Sequence, residues 1–269
     1  MIISKFIRKI FSANFINKSK HAFGLEIDSE FELERISRMD RFQKGKTNLI
    51  HPNFEFIDSE SFVNQYIEIF NHKILHFNSD EHRPYIIDCG SNIGVSILYF
   101  NQIFPQAKII GFEPDPRIFN TLEINTSNLK NTDIKVLNSA IWHEKSSLNF
   151  SSDGSDGGTI CDNGDIKVNA IDLIPYLKQK VDFLKIDIEG AEHEVLPSIA
   201  NYLKNVRNLF LELHVNRDSP IQIEETFKLL REQGFRYKFN SVGKVKFDSF
   251  AERTIFDQQI NIFAINENS

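Results

Sequence analysis

From Tyr85 onward the chain alternates between short continuous apolar runs and longer stretches whose apolar positions recur at helical spacing. The short runs predict strands at Tyr85–Cys89, Lys108–Phe112, Ile134–Asn138, Val181–Ile188 and Asn208–His214. A strand covered on both faces is apolar on both, so these read as the buried strands of a parallel sheet. The intervening stretches predict helices from Ile93 to Phe104, stopped by Pro105, and from Pro116, capped by Asp115, through Ile118, Phe119 and Leu122. Further helices are expected at Ile171–Leu177 and at Ala191–Leu203, the latter bent or restarted at Pro197. Ser219-Pro220-Ile221-Gln222 offers an N-cap, a proline at the first helical position and a glutamine two places on, so a last helix runs from Pro220 to before Gly234. Phe235–Phe239 and Ile260–Ile265 then follow without a helix between them, which predicts an antiparallel closing pair. Strands and helices in this order give an α/β fold, a doubly wound, mostly parallel sheet with right-handed crossovers and helices on both faces.

The front of the chain keeps a different pattern. Lys5, Arg8, Lys9, Lys18 and Lys20 share residues 1–20 with no acid, and Ile3, Phe6, Ile7 and Ile10 fall on one side of a helix. Such a basic amphipathic segment either packs on its own domain or rests as a peripheral contact on an anionic membrane surface. The mixed, charged sequence from Phe23 to Arg83 reads as a small cap, with Asp58 or Ser59 starting a helix through Phe62, Tyr66, Ile69 and Phe70 and a short strand at Lys73–Phe77. The expected division is therefore 1–82 as N-terminal helix and cap, and 83–269 as the main domain. His72 and His76 are four apart, but the residues around them look extended rather than helical, so they read as structural rather than metal-binding. Between the third and fourth strands, residues 143–165 carry Ser151, Ser152, Asp153, Gly154, Ser155, Asp156, Gly157, Gly158 and Gly164, the chemistry of a mobile loop or hairpin.

Composition narrows the function. Of 269 residues, 41% are apolar and 25% charged, ordinary globular values. Two cysteines, Cys89 and Cys161, and no recognisable secretory leader point to a reduced, cytoplasmic setting rather than a disulfide scaffold. With 31 basic against 37 acidic residues, the net charge of −6 argues against nucleic acid as a partner. No apolar run reaches the roughly 18 residues a membrane-spanning helix needs.

In a doubly wound sheet, ligands sit beyond the carboxyl ends of the strands where the winding reverses. Asp88-Cys89-Gly90-Ser91-Asn92-Ile93-Gly94 follows the first strand and opens the first helix, so its glycines admit a ligand close to the backbone. The spacing departs from the G-x-G-x-x-G of dinucleotide loops, which disfavours a diphosphate. Glu113, ending the second strand, is placed to accept hydrogen bonds from both hydroxyls of a ribose, which suits an adenosyl ligand without phosphate. Along the fourth strand Lys185, Asp187 and Glu189 alternate with Leu184, Ile186 and Ile188. Ionisable groups on a central strand need partners or a functional role. Lys185 is expected to pair with Asp187 or Asp88, while Asp187 and Glu189, nearer the open end, are expected to be functional.

The runs Ile87-Asp88-Cys89-Gly90-Ser91-Asn92-Ile93-Gly94, Gly111-Phe112-Glu113-Pro114-Asp115-Pro116, Asp182-Phe183-Leu184-Lys185-Ile186-Asp187-Ile188-Glu189-Gly190-Ala191-Glu192 and Glu212-Leu213-His214 together resemble the FkbM family of S-adenosylmethionine-dependent methyltransferases. The likeness covers Tyr85 to His214, and its third run is the specific one; Cys89 stands where the family more often has an aliphatic residue. The resemblance implies a seven-stranded, Rossmann-like class I methyltransferase sheet with an antiparallel last strand. It also implies S-adenosylmethionine as cofactor and O-methylation of a hydroxyl on a sugar, glycan or secondary metabolite. By position, Asp88, Gly90, Asn92 and Gly94 would line the methionine half of the cofactor, Glu113 would hold its ribose, and Ser139 and Ala140 would flank its adenine. Asp187, Glu189 or His214 would take the acceptor's proton; no metal is required, although Asp187 with His214 or Asn216 offers ligands for Mg²⁺. The competing readings are an NAD-dependent nucleotide-sugar oxidoreductase or epimerase, a cofactor- or glycan-binding relative without activity, and a protein or nucleic-acid methyltransferase.

Overall fold

The structure is a computed structural model that describes residues 28–155, 157–215, 221–242, 256, 258–267 and 269. The basic segment 1–20, Asn216 and the Ser219-Pro220 helix start lie outside them.

The cap begins with α1 (Ser29–Ser37), whose first free amides, Glu30 N and Phe31 N, are met by the side chain of Asp28. A two-stranded antiparallel ribbon follows, β1 (Gly45–Thr47) with β2 (Phe54–Phe56), and then α2 (Ser59–Tyr66), capped by Asp58 and continued by a wider turn over Ile67–Asn71. The expected strand at Lys73–Phe77 does not form: Lys73 takes a φ of 56° and the segment turns back, burying Leu75 and Phe77. Two alternate apolar residues suit a strand pattern, but among the described residues none pairs with this segment as a strand.

The main sheet is built from β3 (Tyr85–Cys89), β4 (Lys108–Phe112), β5 (Ile134–Leu137), β10 (Val181–Ile186), β11 (Val206–Val215), β12 (Arg236–Ser241) and β13 (Gln258–Ile265). Its order is β12-β13-β11-β10-β3-β4-β5, with only β13 reversed. The chain walks outward from β3 through β4 to β5, returns, and walks the other way from β10, so the reversal lies between β3 and β10. There Lys185 is in register with Asp88 and Ile186 with Cys89.

Both faces are apolar, as the continuous runs predict. Ile86, Ile109, Phe183 and Phe210 face one cluster with α3 (Val95–Ile103), α4 (Pro116–Ser127) and the cap residues Leu33, Phe54 and Phe62. Ile87, Ile110, Leu184 and Leu211 face the other with α5 (Ile174–Leu177), α6 (Glu192–Ile199) and α7 (Ile221–Glu232). Pro197 sits inside α6, and the chain restarts as a 3₁₀ segment at Ala200–Asn205.

Residues 140–171 depart most from the sequence expectation. In place of a mobile loop there is a second sheet in the order β6-β9-β7-β8: β6 (Ala140–Ile141), β7 (Ser146–Ser151), β8 (Thr159–Ile160) and β9 (Ile166–Ile171). Ile171 thus ends a strand instead of opening a helix, and the helix shrinks to α5. The glycines that signal a loop serve packing: a Cβ on Gly158 would stand 2.4 Å from the Phe150 ring, and one on Gly164 2.4 Å from the Phe150 backbone. Phe150 is the buried anchor of this sheet.

Candidate active site

The turn after β3 depends on glycine at position 90. Gly90 has φ of 81°, and a Cβ there would lie 1.9 Å from the carbonyl oxygen of Asp187, so a side chain would drive apart the ends of β3 and β10. Gly90 N and Ser91 N both donate to Phe112 O, at 3.0 and 2.9 Å, which ties the turn to β4 as well. Glu113 accepts from Asn92 N at 3.0 Å and from Asp115 N at 2.9 Å. Burial pushes its carboxyl up to about 8 in spite of those two bonds.

Lys185 pairs as expected, and with both partners. Its Nζ lies 3.1 Å from Asp187 Oδ2 and 3.5 Å from Asp88 Oδ1, and donates to Gly90 O at 2.8 Å. Burial disfavours the ammonium, but the Asp187 and Asp88 charges outweigh it and raise its pKa. Asp88 is fully buried, takes the Ser96 hydroxyl at 2.5 Å, and has its carboxyl raised by burial.

On the β11 side His214 is 1% exposed, with Nδ1 3.1 Å from Glu192 Oε1. Glu192 is itself buried and accepts the amides of Ile188 and Gly190, which fixes it and the ring together. His214 Nε2 lies 3.4 Å from Glu189 Oε2 and 4.0 Å from Glu212 Oε1 and makes no hydrogen bond. Burial opposes a charge on the ring, but Glu192, Glu189 and Asp187 prevail and move its pKa to about 10. Burial in turn pushes Glu189 to about 9 and Glu212 to about 8. Strand β10 stops at Ile186, so Glu189 is not a strand residue as the alternation suggests; it stands on the following turn with φ of 53°.

These elements enclose a cavity of about 400 Å³ over the ends of β3, β4, β10 and β11. Gly90, Asn92, Glu113, Ser139 and Ala140 line one side of it, and Asp187, Glu189 and Glu212 line another. Three residues expected at the site stand behind its wall. Asp88 is covered by Ser96 and Lys185; Gly94, with φ of 95°, starts α3 against Leu122; and His214 supports Glu189 from below. The cap contributes Glu68 and Ile74 to the lining, and the second sheet with its loops contributes Ser155, Gly158 and Ile160.

Sequence reasoning gave Glu212 no role, although it sits two residues from His214 on one strand and so shares its face. It also missed a buried chain of hydrogen bonds. Asp58 accepts from Arg41 Nη2 at 2.8 Å, Phe42 N at 2.8 Å, the Ser61 hydroxyl at 2.7 Å and the Ser155 hydroxyl at 3.2 Å. Burial is outweighed by these donors, and the carboxyl is held well below its usual range. Ser155 O then accepts Asn92 Nδ2 at 3.0 Å, so cap, second sheet and β3 turn meet. No local sequence pattern reports a contact between residues so far apart.

The family model "Methyltransferase FkbM domain" matches residues 88–237. Methyltransferase sdnD of Sordaria araneosa is 28% identical over 211 residues, covering 63% of this chain and 80% of that protein. The hexuronic acid methyltransferase AglP of Haloferax volcanii is 28% identical over 152 residues, covering 54% of this chain and 60% of that one. Among solved structures, the methyltransferase FkbM of Methylobacillus flagellatus is similar at a TM-score of 0.47 and 15% identity, over 69% of this chain; this chain spans 45% of that protein's length.

Proposed function

The chain belongs to the FkbM methyltransferase family, whose cofactor is S-adenosylmethionine, and on that premise we propose that it O-methylates a hydroxyl of a sugar, glycan or other small metabolite. The observation that carries the reading is the polarity of the cavity: the Glu113 carboxyl lines it on the side of the Gly90 turn, Asp187, Glu189 and Glu212 line it on the other with Lys185, and the cap adds Glu68. Carboxyl oxygens of this kind can accept the hydrogen bond that an acceptor hydroxyl donates. The relative named for a hexuronic acid fits a sugar as the acceptor class.

The chain's own residues fit the cofactor. The Gly90 turn leaves open the space a side chain would fill, and Glu113 keeps a buried carboxylate at the end of β4, where two ribose hydroxyls can donate to it. When bound, S-adenosylmethionine supplies an electrophilic methyl group on a sulfonium. The protein's part is then to hold the acceptor oxygen at attack distance, keep out water and receive one proton. Glu68 and Ile74 of the cap and Ser155 and Gly158 of the insertion line the cavity, where a bound acceptor would meet them. Glu189 in its ionised form takes the proton; the burial that raises its pKa to about 9 makes that form the minor one at neutral pH and the stronger base. Asp187 is already engaged by Lys185 and Glu192 by His214 and two amides, which leaves Glu189 and Glu212, and of these Glu189 stands on a left-handed backbone of the kind that clusters at active sites.

Calorimetric titration with S-adenosylmethionine and S-adenosylhomocysteine, followed by a screen of neutral sugars, hexuronic acids and polyols with labelled methyl donor, tests this. Both nucleosides should bind, and the label should survive base treatment as an ether. Label lost to mild base would mark an ester and refute hydroxyl transfer; no heat with either nucleoside would remove the premise.

A further inference from the structure

Five carboxyl groups, those of Asp88, Asp187, Glu189, Glu192 and Glu212, gather around the ammonium of Lys185 and the imidazole of His214. Lys185 is held between Asp88 and Asp187, which leaves the imidazole of His214 facing Glu189, Glu192 and Glu212 in a poorly solvated corner.

The histidine is arranged to help hold a cation. Glu192 Oε1 stands 3.1 Å from Nδ1 and fixes the ring proton there, and Glu192 is in turn fixed by backbone amides. A carboxylate behind a histidine sets tautomer and orientation for a metal on the opposite nitrogen. That opposite nitrogen, Nε2, belongs to a side chain 1% exposed, makes no hydrogen bond, and is directed at the carboxylates of Glu189 and Glu212. One donor atom each from Asp187, Glu212 and His214 lie within 4.8 Å of one another. A cation with bonds of about 2.2 Å spaces its ligands roughly 3 to 4.4 Å apart, so a contraction of a few tenths of an ångström closes the set.

We propose that Asp187, Glu212 and the Nε2 of His214 form a site for one divalent cation of the manganese type, with Glu192 as the positioning residue behind the histidine. Two carboxylates with one imidazole suit a cation that accepts both oxygen and nitrogen donors. Asp187 and Glu212 line the cavity, so the open coordination positions face it. There they offer an oxygen-rich ligand, a vicinal diol or an α-hydroxy acid, two points of attachment. The site goes beyond the methyl-transfer reading and stands apart from it, because its test reads cation binding.

Titration of the full chain with Mn²⁺, followed by electron paramagnetic resonance, should show one bound ion per chain. The echo-modulation spectrum should carry the coupling of an imidazole nitrogen. His214→Asn should abolish that coupling, and Glu212→Gln, at a partly exposed position, should weaken Mn²⁺ binding at least tenfold. Glu192→Gln should weaken it about 10- to 100-fold. Thermal unfolding of each variant separates lost ligation from lost fold. Glu113→Gln should bind Mn²⁺ as wild type does while losing cofactor affinity, so a failed cofactor reading and a failed cation reading are told apart. No Mn²⁺ bound at 1 mM by the folded wild type, or binding unchanged in both Glu212→Gln and His214→Asn, would overturn the proposal.

Discussion

The two sides of the cavity are built on opposite principles. Around Gly90 and Glu113 the polar groups largely satisfy one another: amides of Gly90 and Ser91 meet Phe112 O, and those of Asn92 and Asp115 meet Glu113. Around His214 three carboxyl groups, those of Glu189, Glu192 and Glu212, crowd one imidazole, and its Nε2 is left without a hydrogen bond. The first wall is finished, as a site that only has to recognise a fixed ligand can be. The second keeps an unbonded ring nitrogen among titratable carboxyls, which on the proposed reading suits the side where an acceptor arrives and loses a proton. The difference separates binding from turnover, and substitutions should separate them too.

The largest effect is expected from Glu189→Gln, which should lower kcat by about 10²- to 10⁴-fold while cofactor affinity stays near wild type. Comparable losses in kcat and affinity would erase the contrast between the walls. Gly90→Ala should act on the finished wall through the backbone, costing about 3 kcal/mol in urea unfolding and abolishing calorimetric cofactor binding, since its Cβ has no room before Asp187 O. Glu113→Gln should weaken cofactor binding by about 10- to 100-fold, the range for a hydrogen bond to a charged group, with little change in unfolding at pH 5.

Glu113 also gives the contrast a pH signature. Burial raises its pKa to about 8, so the folded chain holds a proton there that the unfolded chain gives up near 4.5. Its contribution to stability is complete below the unfolded value and is lost as pH rises through about 8; Glu113→Gln should flatten that part of the stability curve. Ribose hydroxyls donate to the ionised form, so cofactor affinity measured by calorimetry should rise about tenfold between pH 7 and 9 and level off above. The smallest effect is expected from Ser155→Ala, about 1 kcal/mol in unfolding.

The main sheet was legible because its strands are buried on both faces and its helices carry their own punctuation, as at Asp115 and Pro116. The Gly90 turn and Glu113 followed from strand ends alone, and Lys185 from the cost of burying an unpaired ammonium. The second sheet was hidden because Gly158 and Gly164, which read as loop, owe their place to the Phe150 they pack against. Glu189 was assigned to a strand face because alternation carries no signal for where a strand stops. Asp88, Gly94 and His214 were placed in the cavity because sequence gives position along an element and not depth. Glu212 could have been found from its two-residue offset to His214; Asp58 and Ser155 could not, since their meeting is a product of the folded whole.

Asp58 collects donors from Arg41, Phe42, Ser61 and Ser155, and Ser155 in turn steadies Asn92 beside the Gly90 turn. The cap and the loops of the second sheet are thereby fastened to the turn that, on the proposed reading, holds the methyl donor. A change in the cap that disturbs Asp58 reaches the Gly90 turn through Ser155 and Asn92.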